Sequence, residues 1–179
     1  MGSDERTDVG RSAPAADPVL RHGMSFEDFF EIEHERLLGA LYLVTGNRQE
    51  AEDVMQDAFV SVLQRWDLVQ SLASPTGYLY RTAMNTFRTR YRRAKLAARR
   101  VLAPGSRSDE FHEVELREDV RRALGTLTPR QRAAIVLTEL MDYAPSEAAR
   151  VLGIKASTVR ALTTQARGSL ALSLGDDHE

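Results

Sequence analysis

The strongest constraint on the fold is a set of spaced small and apolar residues that begins at Pro145. Counted from there, Ala149 stands at the fifth position, where two crossing helices leave room only for a small side chain. Gly153 stands at the ninth, where a tight turn requires a positive φ angle. Val159 and Leu162 stand where a second helix must bury apolar groups against the first. These positions predict two helices joined by a glycine turn.

This helix-turn-helix predicts DNA binding, with the second helix in the major groove. Helical hairpins with a glycine turn also occur in proteins that bind no DNA, so the motif alone leaves that alternative open. Arg160 is the best candidate for a bidentate contact to guanine. Few basic groups lie on this helix, so we expect it to need a second DNA contact or a partner. The side chains predicted to face the groove or its phosphates are Lys155, Ser157, Thr158, Arg160, Ala161, Thr164 and Arg167.

The first half of the chain is also predicted to be helical. Ser25 with Asp28 is typical of a capping box, which would open a helix that runs to about Val44. Asn47 is a plausible N-cap of a second helix, with Glu50 at the reciprocal position. That helix carries one continuous apolar stripe with three- and four-residue steps, formed by Ala51, Val54, Met55, Ala58, Phe59, Val62, Leu63 and Trp66.

A third helix is predicted after a connecting loop at residues 68–74, because Ser74 and Pro75 suit an N-cap and a first turn. Aromatic side chains are interleaved with arginines along it. Arginines attract phosphates and aromatic faces stack on unpaired bases, so the composition suits single strands as well as duplex. Phe87 is predicted to be core, whereas the pattern does not decide between core and surface for Tyr78 and Tyr80.

The C-terminal half begins after a linker at residues 101–112, which contains the breaker-rich run 103–108. A helix is predicted over residues 114–124. Thr128 with Pro129 and Gln131 then predicts the capped start of a largely apolar, buried helix. With no strand pattern, the chain is predicted to be all-α. It would form two small helical domains, residues 25–100 and 113–174, joined by a flexible linker, with tails at 1–24 and 175–179 and no further domain after Leu174.

Charge is divided unevenly along the chain. Residues 25–67 contain ten acidic and three basic residues, whereas residues 68–108 contain no acid and nine bases. A polyanion would be attracted to the second stretch and repelled by the first. A solvated basic helix face remains the alternative. The bases are Arg81, Arg88, Arg90, Arg92, Arg93, Lys95, Arg99, Arg100 and Arg107.

Composition narrows the function classes. The absence of cysteine excludes disulfides and thiolate metal sites, and it suits a cytoplasmic location. The first 24 residues contain no apolar run, so they predict neither a signal peptide nor a membrane span but a disordered tail. Four scattered histidines, no Ser/His/Asp set and no phosphate-binding glycine loop predict that the chain is not an enzyme. We expect no catalytic residue, no metal and no cofactor.

Taken together, residues 25–174 resemble bacterial RNA polymerase sigma factors of the extracytoplasmic-function (ECF) type of the sigma-70 family. Residues 50–59, EAEDVMQDAF, resemble the family's polymerase-binding helix. Residues 74–85, SPTGYLYRTAMN, resemble the segment that reads and melts the minus-ten promoter element. Residues 127–132, LTPRQR, with 151–153 and 157–160 resemble the domain that reads the minus-thirty-five element. The order and spacing of all three make the match specific.

The resemblance implies a function and partners. The second helix, through Asp53, Gln56 and Asp57, would dock on the clamp of the largest subunit of core RNA polymerase. The downstream promoter element would be recognised and melted by Tyr78, Arg81, Asn85, Arg88 and Arg92, while the loop at 68–74 captures a flipped base. The C-terminal domain would bind the flap of the second-largest subunit and the upstream element. Partners would thus be core polymerase, double- and single-stranded promoter DNA and, from the family, an anti-sigma factor.

Three functions are therefore weighed. The first is a sigma factor that directs core polymerase to promoters. The second is a free-standing helix-turn-helix regulator that does not require polymerase. The third is a helical adaptor that binds proteins and no DNA. The C-terminal part alone would also fit a LuxR-type response-regulator domain, but no phosphoacceptor aspartate at a strand end and no α/β pattern precedes it.

Overall fold

The computed structural model describes residues 23–100 and 123–175, and these residues form helices and no β-strand. The all-α prediction is thus confirmed. Most of the predicted N-terminal tail, the linker at 101–112 and nearly all of the helix predicted over 114–124 lie outside the described residues. The helices are α1 (Phe26–Thr45), α2 (Arg48–Leu63), α3 (Trp66–Val69), α4 (Pro75–Arg100), α5 (Pro129–Ile135) with a π-helical turn (Val136–Leu140), α6 (Pro145–Leu152) and α7 (Ala156–Gly175).

Local capping bonds start the helices where the sequence predicts. The Asp28 amide donates to Ser25 Oγ at 3.1 Å, and the Ser25 amide donates to the Asp28 carboxylate at 3.3 Å. The Glu50 amide donates to Asn47 Oδ1 at 2.8 Å at the start of α2. Thr128 and Gln131 form the same reciprocal box before α5. Each bond satisfies a first-turn amide that has no partner within its helix.

The end of α2 differs from the prediction. The predicted stripe continues through Leu63 to Trp66, but α2 ends at Leu63, whose side chain is 51% exposed. Trp66 begins the short helix α3 and packs against the Phe29 ring, with a centroid distance of 5.0 Å. The predicted loop at 68–74 is therefore partly helical, because α3 reaches Val69, whose side chain is completely buried.

The C-terminal helices pack directly against α1 and α4. The largest cluster of buried apolar residues accordingly runs through both halves of the chain, from Phe29 and Leu37 of α1 to Val151 and Val159 of the helix-turn-helix. A second cluster contains Ile135 and Ala166, among others, and Leu43 of α1 packs on it. The predicted domain limits remain predictions. The two helical halves nevertheless share one core in this structure, which brings α4 beside α6.

Candidate functional surfaces

The acidic surface of α2 is ion-paired to α4 through one guanidinium. Arg90 donates to Glu50 at 3.2 Å, to Asp53 at 2.8 Å and to Asp57 at 3.3 Å. The three carboxylates are spaced by three and four residues, so they lie on one face of α2. Of the three predicted polymerase-binding residues, Gln56 and Asp57 are exposed and Asp53 is partly buried. Two of them are thus held in place by Arg90.

The environment of Arg90 keeps it charged. Burial lowers the pKa of the Arg90 guanidinium, but the hydrogen bonds and charges of Glu50 and Asp53 outweigh that effect and hold its pKa above the usual value. The charge pattern of the sequence groups Arg90 with the bases that attract a polyanion and does not indicate this role. The only local indication is that the acids of α2 share one face of the helix. This spacing predicts a nearby cation but does not identify the residue that provides it.

The residues predicted to read the downstream element share one face of α4. Tyr78, Arg81, Asn85, Arg88 and Arg92 follow each other at three- and four-residue steps, which a helix places in a row. The three arginines are exposed, and Tyr78 and Asn85 are partly buried. Arg88 Nη2 donates to Asn85 Oδ1 at 3.1 Å, and Arg88 Nη1 donates to the Leu152 carbonyl of α6 at 3.3 Å. One member of the row, Arg88, therefore contacts the helix-turn-helix.

The structure settles the aromatic residues of α4 that the sequence left undecided. Tyr80 is completely buried and belongs to the core, while Tyr78 remains accessible on one side. Phe87 is partly buried and packs against the core, as predicted. Burial raises the pKa of Tyr80 well above its usual range, so its hydroxyl stays neutral. That hydroxyl has no hydrogen-bond partner.

A buried carboxylate lies between α1 and α4. Glu33 is only 3% exposed, and its Oε1 accepts a hydrogen bond from the Thr76 hydroxyl at 2.7 Å. Burial raises the pKa of Glu33, although the Thr76 bond and the charge of Arg36 act in the opposite direction. The sequence indicates only that Glu33 is one of the ten acidic residues of the segment 25–67. Its burial depends on packing between helices that are far apart in the sequence, so no pattern near Glu33 predicts it.

The helix-turn-helix has the geometry that its spacing predicts. Ala149 is 6% exposed where α6 and α7 cross, and Gly153 has a φ angle of 63°. Val159 and Ala166 of α7 are buried, whereas Leu162 and Leu170 are partly buried. The seven residues predicted for the groove are all exposed on α7 or just before it, namely Lys155, Ser157, Thr158, Arg160, Ala161, Thr164 and Arg167.

One of these seven also has a protein partner. Arg167 Nη2 donates to the Glu139 carboxylate of the π-helical turn at 2.6 Å. Both side chains are well exposed, so the pair contributes little to stability. It fixes the direction of Arg167 at the edge of α7, beside the predicted groove-facing row.

Two kinds of feature are absent from residues 23–100 and 123–175, a candidate metal site and a candidate membrane span. These residues contain no group of three or more potential metal ligands. None of the helices described in these ranges is long and apolar enough to cross a membrane.

Comparison with known proteins decides the family. Sigma-70 region 2 matches residues 29–97, and Sigma-70, region 4 matches residues 117–170. The chain is 31% identical over 175 residues to the ECF RNA polymerase sigma factor SigM of Mycobacterium tuberculosis, which covers 97% of this chain and 88% of that protein. The chain belongs to the ECF RNA polymerase sigma factors. It is also 30% identical to the ECF RNA polymerase sigma factor SigE of Mycolicibacterium smegmatis, over 82% of this chain and 60% of that protein.

Solved structures share the fold of this sigma factor. The sigma factor RpoE from Bartonella quintana, solved in complex with the anti-sigma factor NepR, superimposes with a TM-score of 0.69 at 20% identity, over 86% of this chain and 98% of that one. CnrH, solved in complex with the cytosolic domain of CnrY, gives 0.57 at 25% identity, over 85% and 88%. The predicted function is confirmed at the family level: this is a non-enzymatic factor that directs RNA polymerase to promoter DNA.

Proposed function

We propose that the acidic surface of α2 docks on the clamp of the largest polymerase subunit while α4 contacts the downstream promoter element. The observation that carries this proposal is the charge division between two adjacent helices. Asp53, Gln56 and Asp57 line α2, and exposed bases lie on α4, which packs against α2. DNA is repelled by the first surface and attracted by the second. A protein with a basic face therefore fits α2, and a polyanion fits α4.

Along α4, the exposed arginines would hold phosphates, and Tyr78 would stack on an unpaired base. Base flipping costs a few kcal/mol, which stacking and pocket contacts offset. The segment at 68–74 would take up the flipped base from the non-template strand. Arg81 and Arg92 are exposed and have room to meet phosphates on either side of Asn85.

The helix-turn-helix would read the upstream element, with Arg160 as its base-reading side chain. Its part of the chain would sit on the flap of the second-largest subunit. Few basic side chains lie on α7, so its affinity for DNA alone would be low, and binding would depend on polymerase holding this helix at the promoter. We also propose a cytoplasmic location, where polymerase and promoters are found. Control by an anti-sigma factor is proposed as well, since the structurally similar sigma factor RpoE was solved in complex with the anti-sigma factor NepR.

The docking surface can be tested by charge reversal at Asp57. Its carboxylate is the more exposed of the two predicted docking acids and has the longer contact with Arg90, so Asp57→Lys should disturb the fold least. Glu35→Lys, on an exposed face of α1, makes the same change of charge away from α2. Binding of the full chain to purified core RNA polymerase would be measured by fluorescence anisotropy.

We expect Asp57→Lys to weaken polymerase binding by about tenfold or more, the scale of a lost interfacial charge pair. Glu35→Lys should bind as the unmodified chain does. Equal binding by Asp57→Lys and the unmodified chain would reject α2 as the docking surface. Circular dichroism of both variants would show that the helices persist.

A further inference from the structure

The first turn of α4 is tied to α1 by a buried hydrogen bond. The Thr76 hydroxyl donates to Glu33 Oε1 at 2.7 Å, and Glu33 is only 3% exposed. Within α4, the Gly77 amide donates to Ser74 Oγ at 3.0 Å, which caps the same turn. A Cβ at Gly77 would lie 2.8 Å from that oxygen, so the capped turn is tightly closed. The start of α4 is thus held by its own cap and by a carboxylate 43 positions earlier in the chain.

This turn carries the parts of α4 that would meet unpaired DNA. Tyr78, proposed to stack on a base, follows Thr76 by two residues and is partly exposed. The exposed residues 71–74 lead into the turn, and they belong to the segment proposed to take up a flipped base. They lie between Val69 and Pro75, which are both buried. The hydrogen bond to α1 therefore fixes one end of that segment together with the turn that presents Tyr78.

The carboxylate that makes this bond lowers the stability of the fold. Glu33 Oε2 is buried and has no hydrogen-bond partner among the described residues. Burial raises the pKa of Glu33 although the Thr76 bond and the charge of Arg36 oppose that effect, so the charged form is less stable here than in water. Arg36 is exposed, which weakens its attraction for the carboxylate. A buried charge with so little compensation costs more free energy than an apolar side chain of similar size.

The surroundings of Glu33 are those of an apolar core. Phe29 and Leu37, one turn before and after it on α1, are completely buried. Tyr80, one turn after Thr76 on the same face of α4, is completely buried as well. Its hydroxyl has no partner among the described residues, and the charge of Glu33 raises its pKa further. An apolar side chain at position 33 would lie in a suitable environment, so stability does not explain a carboxylate there.

We propose that Glu33 is a positioning residue for the downstream promoter element: its bond to Thr76 holds the first turn of α4 and the segment 68–74 in the arrangement that takes up an unpaired base. The inference rests on the proposed assignment of α4 to that element. A turn that is held in advance loses less conformational entropy when DNA binds than a turn that must then be ordered. Loss of the bond should therefore weaken strand opening and leave docking through α2 unchanged.

Four variants separate the bond from the stability of the fold. Thr76→Val removes the hydroxyl and leaves the carboxylate buried without it. The double variant Glu33→Met with Thr76→Val replaces both partners by apolar side chains of similar shape, a change that is close to neutral or stabilising. Glu33→Gln keeps a side-chain oxygen that accepts from Thr76. Thr138→Val is the matched control, because the partly buried Thr138 hydroxyl bonds to the Ala134 carbonyl in the other half of the chain.

Strand opening would be measured as the reactivity of unpaired thymines with permanganate, using core polymerase, the full chain and a promoter fragment recovered by run-off transcription. We expect Thr76→Val and the double variant to reduce this reactivity about fivefold, the effect of a hydrogen bond that contributes about 1 kcal/mol. Glu33→Gln and Thr138→Val should stay within about twofold of the unmodified chain. Fluorescence anisotropy should give the same affinity for core polymerase in all variants.

Urea denaturation at pH 7 distinguishes positioning from a purely structural role. Thr76→Val should unfold at a lower urea concentration, because the buried carboxylate loses its hydrogen bond. The double variant should recover at least the midpoint of the unmodified chain and still fail to open the promoter fully. A structural role predicts instead that strand opening recovers together with stability. Normal strand opening by the double variant would therefore overturn the proposal.

Tyr78→Ala tests the proposed function in the same assay. This variant should also reduce strand opening, since it removes the ring proposed to stack on the base. Normal opening by Tyr78→Ala would refute the proposed role of α4 and this inference with it. Reduced opening by Tyr78→Ala, combined with normal opening by the double variant, would refute the role of Glu33 alone.

Discussion

The ion-pair network of Arg90 gives the sharpest test of how α2 and α4 are joined. Arg90→Ala removes three contacts at once, at 2.8, 3.2 and 3.3 Å. The variant also removes the guanidinium that pairs with three carboxylates on one face of α2, and like charges at such spacing repel one another. Both effects lower the free energy of unfolding.

The size of this loss of unfolding free energy follows from how exposed the paired side chains are. The Arg90 side chain is 35% exposed and that of Asp57 is 57% exposed, so water screens the pairs and each contributes only about 0.2–1 kcal/mol. The pair with Asp53 is the shortest and should contribute most. We expect Arg90→Ala to reduce the free energy of unfolding by about 1–2 kcal/mol, and the double-mutant cycle of Arg90→Ala with Asp53→Ala to give a coupling of about 0.5–1 kcal/mol.

Urea denaturation followed by circular dichroism measures both quantities, with Arg93→Ala as the control because Arg93 is exposed on the same helix. The control should change stability by less than about 0.5 kcal/mol. The coupling should also shrink in 1 M salt, where the screening length is about 3 Å. A coupling near zero at low salt, or one that persists unchanged in 1 M salt, would show that Arg90 does not join the helices electrostatically.

Three further predictions concern the helix-turn-helix and the buried carboxylate. Gly153→Ala, at φ 63°, should cost about 1–2 kcal/mol of unfolding free energy, whereas Gly168→Ala, in open space on α7, should not destabilise the chain. Burial raises the pKa of Glu33 above its ordinary value of 4.5, so the free energy of unfolding should fall as the pH rises from about 4.5 through that raised pKa. Glu33→Gln should flatten this dependence on pH in urea titrations at several pH values. Arg160→Ala should weaken upstream-element binding to the polymerase complex by about 1–3 kcal/mol, and an unchanged footprint there would reject its base-reading role.

Features encoded within a few residues could be predicted from the sequence. The capping boxes at Ser25 and Thr128 and the turn at Gly153 depend on neighbours within four positions, and the structure confirms all three. The exposed face of α7 follows in the same way, because helical period fixes which side chains oppose Val159. The family resemblance adds the order of these segments, which the comparisons confirm.

Features that depend on packing between distant segments could not be predicted. The burial of Glu33 and the pairing of Arg90 with α2 join residues 43 and 37 positions apart, as the Glu33–Thr76 and Arg90–Asp53 bonds show. The core position of Tyr80 likewise involves a distant residue, because its ring packs near that of Tyr143. The contact of Arg88 with Leu152 spans 64 positions. Periodicity shows that a face is apolar, but it does not say which other helix will cover that face.

Run-off transcription with purified core RNA polymerase tests the central claim most directly. A genomic fragment library from the source organism would serve as template, with the full chain added or omitted. We predict transcripts with defined start sites that require both polymerase and this chain. Asp57→Lys should strongly reduce these transcripts, and Glu35→Lys should leave them unchanged. Specific duplex binding by the chain alone, with no transcript when polymerase is present, would contradict that claim.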